Sequence, residues 1–283
     1  MTTGIFRATD HSYLFFQAGR GWRSAPAGFY LNAVFEAADP AAVAAEAFEN
    51  GGQRAEIDAA ATAWAAPVDS QEIWAAGVTY YRSRSARMEE AELAGGDIFY
   101  HKVYEADRPE IFFKSTPARA RGHLGKVGIR QDSTWDVPEP ELTLAISKFG
   151  KVFGCTIGND MSSRSIEGEN PLYLPQAKLY TGSCALGPAL WVGAIPGPDT
   201  TIRLTIRREG TEVFSGQTQV SQLKRGFDEL ASWLCRHNEL PHGALLMTGT
   251  GIVPDSDFTL APGDQTEIAI EGLGELRNTV ETV

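Results

Sequence analysis

Residues 136–163 read DVPEPELTLAISKFGKVFGCTIGNDMSS. Two apolar, β-branched runs, LTLAIS and VFGCTIG, are bounded by Pro, Gly and Asp, the pattern of strands separated by turns. Moving outward, the same composition recurs in IFFKS at 111–115, TIRLTIRR at 201–208, EVFSG at 212–216 and TEIAIEG at 266–272. Helical spacing appears in SRSARMEEAELAG at 83–95 and in QLKRGFDELASWLCRH at 222–237, where Leu223, Phe227, Leu230 and Leu234 recur every three or four residues. The N-terminal stretch differs, with short apolar pieces (Tyr13–Phe16, Phe29–Phe35) followed by an Ala-rich run. In that run Asp39 and Pro40 read as the N-cap and first residue of a helix, and Asn50-Gly51-Gly52 as its stop. The expectation is an α+β, β-rich protein with a small α/β domain over 1–68 and a main domain over 69–283.

The 283 residues carry 25 Lys+Arg against 36 Asp+Glu, a formal charge of −11. Such a surface repels phosphate backbones, so nucleic acid is not an expected partner. A small anionic substrate meets the same repulsion unless Arg, Lys or a metal ion supplies local positive charge. Cys155, Cys184 and Cys235 stand far apart without a C-x-x-C, which argues against a disulfide framework and a thiolate zinc site. No run of eighteen apolar residues occurs, and the first residues lack the basic-then-apolar pattern of a leader, so a cytoplasmic protein that does not enter membranes is expected. Phosphate-loop, dinucleotide, G-x-S-x-G and H-E-x-x-H motifs are all missing, and five histidines leave little room for imidazole-based metal chemistry.

Carboxylates remain. Glu139 and Glu141 lie two apart at the head of a strand, so both project from one face. Asp160 ends the next strand, nineteen residues after Glu141 and just before Ser162 and Ser163. Side by side, three carboxylates need full solvation or a cation between them. The spacing leaves two readings open: a hard-cation site for Mg²⁺, Mn²⁺ or Ca²⁺, or an exposed strand face with a turn aspartate.

The pieces GVTYYRSR, RPEIFFKSTP, PEPELTL, GNDMSSRSIEGENPLYLPQAKLYTGSCALGP and LMTGTGIVP, in this order over 76–263, resemble the fumarylacetoacetate hydrolase family. Within it, ENPLYLPQAKLYTGSCALGP and TGTGIVP are most similar to the branch that dehydrates 2-keto-3-deoxy sugar acids of the D-arabinonate and xylonate type. The resemblance implies a mixed β-sandwich roll, a small N-terminal domain, and a homodimer or a dimer of dimers. Carried over by position, it implies Glu139, Glu141 and Asp160 as metal ligands, Mg²⁺ foremost, with Lys178 on the substrate side and Thr250 receiving the substrate carboxylate. Lys178 and Glu110 are the candidates for proton transfer, and Tyr80, Ser83 and Arg84 for contacts to a 2-keto acid.

Hydrolytic members of the family often begin their site with G-x-N-Y-x-x-H and a Glu three residues later. Here Ser83 stands at the His position and Ala86 at the Glu position. Neither activates water, and a missing general base removes a contribution of roughly 10²- to 10⁴-fold, which favours elimination over hydrolysis. Two other readings are a metal-dependent C–C hydrolase or decarboxylase of diketo acids and a sugar-acid-binding protein without turnover. Residues 82–96 have the charge and periodicity of a lid. Asn170-Pro171 and Pro175 should shape the loop that delivers Lys178, Arg164 and Glu167 should pair or cap beside Asp160, His123 reads as structural, and Trp191, Phe227 and Trp233 as core.

Overall fold

The computed structural model describes residues 2–80 and 102–283. The stretch that opens the sequence analysis forms an antiparallel pair, Pro140–Ile146 and Val152–Asp160, with Glu141 opposite Gly158 and Leu144 opposite Cys155. Ala244–Met247, Glu72–Gly77 and the edge strand Glu110–Ser115 extend the sheet beyond Pro140–Ile146. Beyond Val152–Asp160 come Cys184–Val192, Thr3–Ala8, Tyr13–Gln17 and Gly21–Ser24. The first strand of the chain therefore pairs with Cys184–Val192, with Ile5 opposite Leu190, and the N-terminal segment shares the large sheet with the main part of the chain.

Period-two alternation sorts the apolar residues onto two faces. Leu142, Leu144, Ile146 and Ile157 face a second, five-stranded sheet and pack with its Leu204, Ile206, Ile268 and Leu276. Ala145, Leu186, Leu245 and Met247 face the opposite way, against Phe35 and Phe48 from two short helices, Asn32–Phe35 and Pro40–Glu49. Each fully buried Leu or Phe contributes about 1.5–3 kcal/mol, so both faces of the large sheet hold it in place. This is a β-rich sandwich, as expected for the family it resembles, with Phe227–Leu234 packed into the cluster between the sheets and the two N-terminal helices on the outer face of the large sheet. The second helix starts where the sequence indicates: Asp39 accepts the Ala42 amide at 3.0 Å and Pro40 is the first helical residue.

Two expectations need correction. The helix read over 222–237 is confined to Phe227–Leu234. Its leading residues leave the helix, because Lys224 donates its amide to the Thr79 carbonyl at 3.0 Å and Leu223 bridges Tyr80. Trp233 is not a core residue: it lies between the guanidinium groups of Arg108 at 4.6 Å and Arg236 at 3.8 Å. Phe227 and Trp191 do pack against the core. Among the described residues no helix is long and apolar enough to cross a membrane.

Candidate active site

The strand pair converts spacing into proximity. Glu139 donates its amide to the Asp160 carbonyl at 3.2 Å and accepts the Asp160 amide at 2.9 Å, so the head of one strand and the end of the next are tied together. Alternation then puts the side chain of Glu141 beside both. One oxygen from each of Glu139, Glu141 and Asp160 lies within 4.8 Å of the others. Their exposures of 4%, 1% and 1% exclude the exposed-face reading.

Three buried cations answer these three anions. Lys178 ends the short helix Leu174–Lys178, which follows an Asn170-capped turn, and its Nζ donates to Glu139 Oε2 at 2.6 Å, Asp160 Oδ2 at 3.2 Å and Ser162 Oγ at 2.5 Å. Arg164 heads a helix capped by Ser163 and donates from Nη2 to Glu139 Oε1 at 2.7 Å. Lys114 pairs with Asp160 Oδ1 and donates to the carbonyls of Met161 at 2.9 Å and Lys178 at 2.5 Å. Sequence reasoning did not single out Lys114, although the signal was present: in IFFKS a lysine interrupts an apolar strand two residues after Phe112, hence on the same face. Phe112 lines the site, with Lys178 Nζ 5.7 Å from its ring centre.

Burial, with the neighbouring charges of Asp160 and Glu139, pushes the Glu141 carboxyl well above the usual carboxylate range, while Lys178 and the Gly249 amide pull it back. Burial pushes the Lys114 ammonium below its ordinary value against the opposing pull of Asp160. The Tyr80 phenol is raised, chiefly by burial and then by Glu141. Tyr80 thus senses the charge of the site from its buried position.

The rim is built from backbone. The Gly249 amide donates to Glu141 Oε2 at 2.6 Å. Its φ of +92° is strained for other residues, and a Cβ there would stand 1.9 Å from Thr79 Oγ1. Thr250 follows, its hydroxyl bonded to the Ile252 carbonyl at 3.1 Å. Glu110 pairs with Gly77 across the sheet edge, and its carboxylate lies over that glycine: a Cβ on Gly77 would come within 2.1 Å of Glu110 Oε2. Gly77, Phe112, Lys178, Thr250 and the three carboxylates enclose a cavity of about 10 Å³, space for about one water or small ion. A wider depression of about 670 Å³ near His11, Tyr13 and Arg54 is lined by the single carboxylate Asp10, and among the described residues the three-carboxylate cluster lies in the smaller cavity, where the chemistry belongs.

The donor set fits a hard divalent ion: oxygens alone, from three buried carboxylates close enough to share one cation. Of the other residues singled out in the sequence, Ser83, Arg84 and the 82–96 segment lie outside the described residues. His123 is structural: its Nδ1 accepts the Arg277 amide at 3.1 Å, which leaves Nε2 to donate to the Ala60 carbonyl at 3.0 Å.

Residues 73–281 match the family model for the fumarylacetoacetate (FAA) hydrolase C-terminal domain. The chain is 48% identical over 219 residues to a probable 2-keto-3-deoxyxylonate dehydratase of Haloferax volcanii, covering 77% of this chain and 74% of that one. It is 43% identical over 219 residues to the 2-dehydro-3-deoxy-D-arabinonate dehydratase of Saccharolobus solfataricus, covering 76% and 73%. A solved structure of 2-keto-3-deoxy-D-arabinonate dehydratase complexed with magnesium and 2,5-dioxopentanoate superimposes with a TM-score of 0.84 at 33% identity, covering 100% of this chain and 99% of that one.

Proposed function

Because this chain belongs to the fumarylacetoacetate hydrolase family, we propose that it dehydrates a 2-keto-3-deoxy sugar acid of the D-arabinonate or xylonate type to 2,5-dioxopentanoate, as a divalent-metal-dependent hydro-lyase. The observation that carries the reading is the buried cluster of Glu139, Glu141, Asp160 and Lys178 in a chain similar to dehydratases along most of its length. Glu139, Glu141 and Asp160 would hold the cation, which supplies Lewis-acid stabilisation of the charge that builds on the C2 oxygen.

The chain's own residues do the rest. Lys178, already donating to Glu139 and Asp160, stands where it can exchange a proton with a substrate carbon or with the departing C4 hydroxyl. Glu110, at the sheet edge beside Gly77, is the second proton-transfer group. Removal of a C3 proton and departure of the C4 hydroxyl give a C3=C4 double bond conjugated to the keto group. Loss of a C5 proton, with protonation on carbon, then yields the C5 aldehyde. The balance is one substrate to one product and one water. Thr250 receives the substrate carboxylate, and Tyr80, Ser83 and Arg84 contact its oxygens. Phe112, which lines the cavity, limits water near the reacting carbons.

We place the enzyme in the cytoplasm, in pentose catabolism, as at least a homodimer. Three free cysteines, two of them buried, support a reducing compartment, and the family resemblance supports the assembly. The test is turnover of 2-keto-3-deoxy-D-arabinonate, its C4 epimer and an acylpyruvate side by side with Mg²⁺. We expect turnover of at least one of the two sugar acids and none of the acylpyruvate; cleavage of the acylpyruvate with both sugar acids untouched would replace dehydration with C–C hydrolysis.

A further inference from the structure

In each of the three site carboxylates one oxygen is engaged by a group other than Lys178. Asp160 Oδ1 is paired with Lys114, Glu139 Oε1 accepts from Arg164 at 2.7 Å, and Glu141 Oε2 accepts the Gly249 amide at 2.6 Å. The holders are themselves fixed. Lys114 is fully buried, is ion-paired with one carboxylate and donates to two carbonyls. Arg164 is 2% exposed, and Thr79 and Ala76 leave no room for a side chain on Gly249. The second oxygens of Glu139 and Asp160, Oε2 and Oδ2, are the ones that face Lys178 Nζ inside the cavity.

We propose that Lys114 and Arg164, with the Gly249 amide, are positioning residues that restrict each carboxylate to donating a single oxygen, and so set the site's preference for a small divalent cation over Ca²⁺. The physical reason lies in what each ion needs. Ca²⁺ takes six to eight oxygens and commonly draws carboxylates in bidentate fashion, whereas Mg²⁺ accepts a few single oxygens and keeps part of its water shell. Rotating Asp160 or Glu139 to offer both oxygens would break an ion pair with a buried cation, which costs several kcal/mol. One of the holders also stands next to the proposed proton-transfer group. Lys114 binds the backbone carbonyl of Lys178, so one side chain fixes both the Asp160 carboxylate and the helix end that presents the proposed proton-transfer group.

This inference rests on the three carboxylates being the metal site, and the experiment separates the two claims. Isothermal titration of the wild-type protein with Mg²⁺, Mn²⁺ and Ca²⁺ is compared with the same titrations of Lys114→Met and Arg164→Met. In the wild type, Mg²⁺ and Mn²⁺ should bind more tightly than Ca²⁺. Each variant should lower the ratio of the Ca²⁺ to the Mg²⁺ dissociation constant about tenfold, because the freed carboxylate can then grip with both oxygens. A purely structural role would weaken all three ions together and leave that ratio unchanged, which would overturn the proposal. If neither variant folds, the wild-type series decides alone, and Ca²⁺ binding as tight as Mg²⁺ overturns it. Failure of the wild type to bind any of the ions would remove the metal site itself, and with it the functional reading above.

Discussion

Two buried aspartates show how the same residue type serves opposite ends. Asp264, on the five-stranded sheet side, is fully buried and has both oxygens occupied: Arg208 grips it with Nε and Nη2 at 2.8 Å each, and the Ala261 amide adds a third bond at 2.9 Å. One acid meets one base, with no other carboxylate among these bonds. Asp160, on the large sheet, shares about the same burial with two further carboxylates within 4.8 Å, pairs with Lys114 and shares Lys178 with Glu139. The first arrangement closes a joint. The second packs like charges together and depends on further cations, so it costs folding energy where it serves chemistry.

The comparison breaks if Glu141→Gln behaves like an ordinary core change. We expect it to lower metal-dependent turnover by at least about 10³-fold in a dehydration assay. Its melting temperature without added metal should equal or exceed that of the wild type, since burial and two carboxylate neighbours already raise the Glu141 carboxyl. Lys178→Met should lose about 10²- to 10³-fold in turnover while calorimetry still detects Mg²⁺ binding; unchanged turnover would remove Lys178 from the reaction.

A third aspartate sharpens the contrast. Asp136 is buried, and its carboxyl is pushed up to about 6, chiefly by burial, with Ser133 and Arg130 opposing. Between about pH 4 and pH 6 the folded protein therefore holds a proton that the unfolded chain releases, so this group makes stability fall as pH rises, by no more than about 3 kcal/mol. Asp136→Asn should flatten that part of the pH–stability curve measured by urea unfolding; an unaltered slope would show that Asp136 does not titrate there. The smallest effect belongs to the joint: Asp264→Asn should cost about 1–2 kcal/mol, because Arg208 stays partly in water, and leave turnover per folded molecule unchanged.

Much of this contrast was legible in the chain itself. Alternation put Glu139 and Glu141 on one face, and the turn after Ile146 returned the chain so that Asp160 met them, a local consequence of two adjacent strands. Lys178 and Thr250 entered through the family resemblance, as residues whose roles no spacing could supply. What stayed hidden depends on long-range contact. Lys114 lies 46 residues before Asp160, near the end of the apolar run IFFKS. Arg164 was expected to pair or cap with Glu167, and its guanidinium reaches Glu139. The pairing of Thr3–Ala8 with Cys184–Val192 joins segments far apart in sequence, which no periodicity announces. The late start of the Phe227–Leu234 helix has the same origin, since Lys224 is drawn into contact with Thr79.

The central claim is that the crowded carboxylates serve a metal-dependent dehydration. Its most direct test is the mass of the product formed by the purified protein from 2-keto-3-deoxy-D-arabinonate and from its C4 epimer, with Mg²⁺ and again after chelation by EDTA. We expect a single product that keeps all five carbons and is one water lighter, formed from at least one of the two substrates with Mg²⁺ and not after chelation. Two shorter acids, or an equal rate after chelation, would contradict the account.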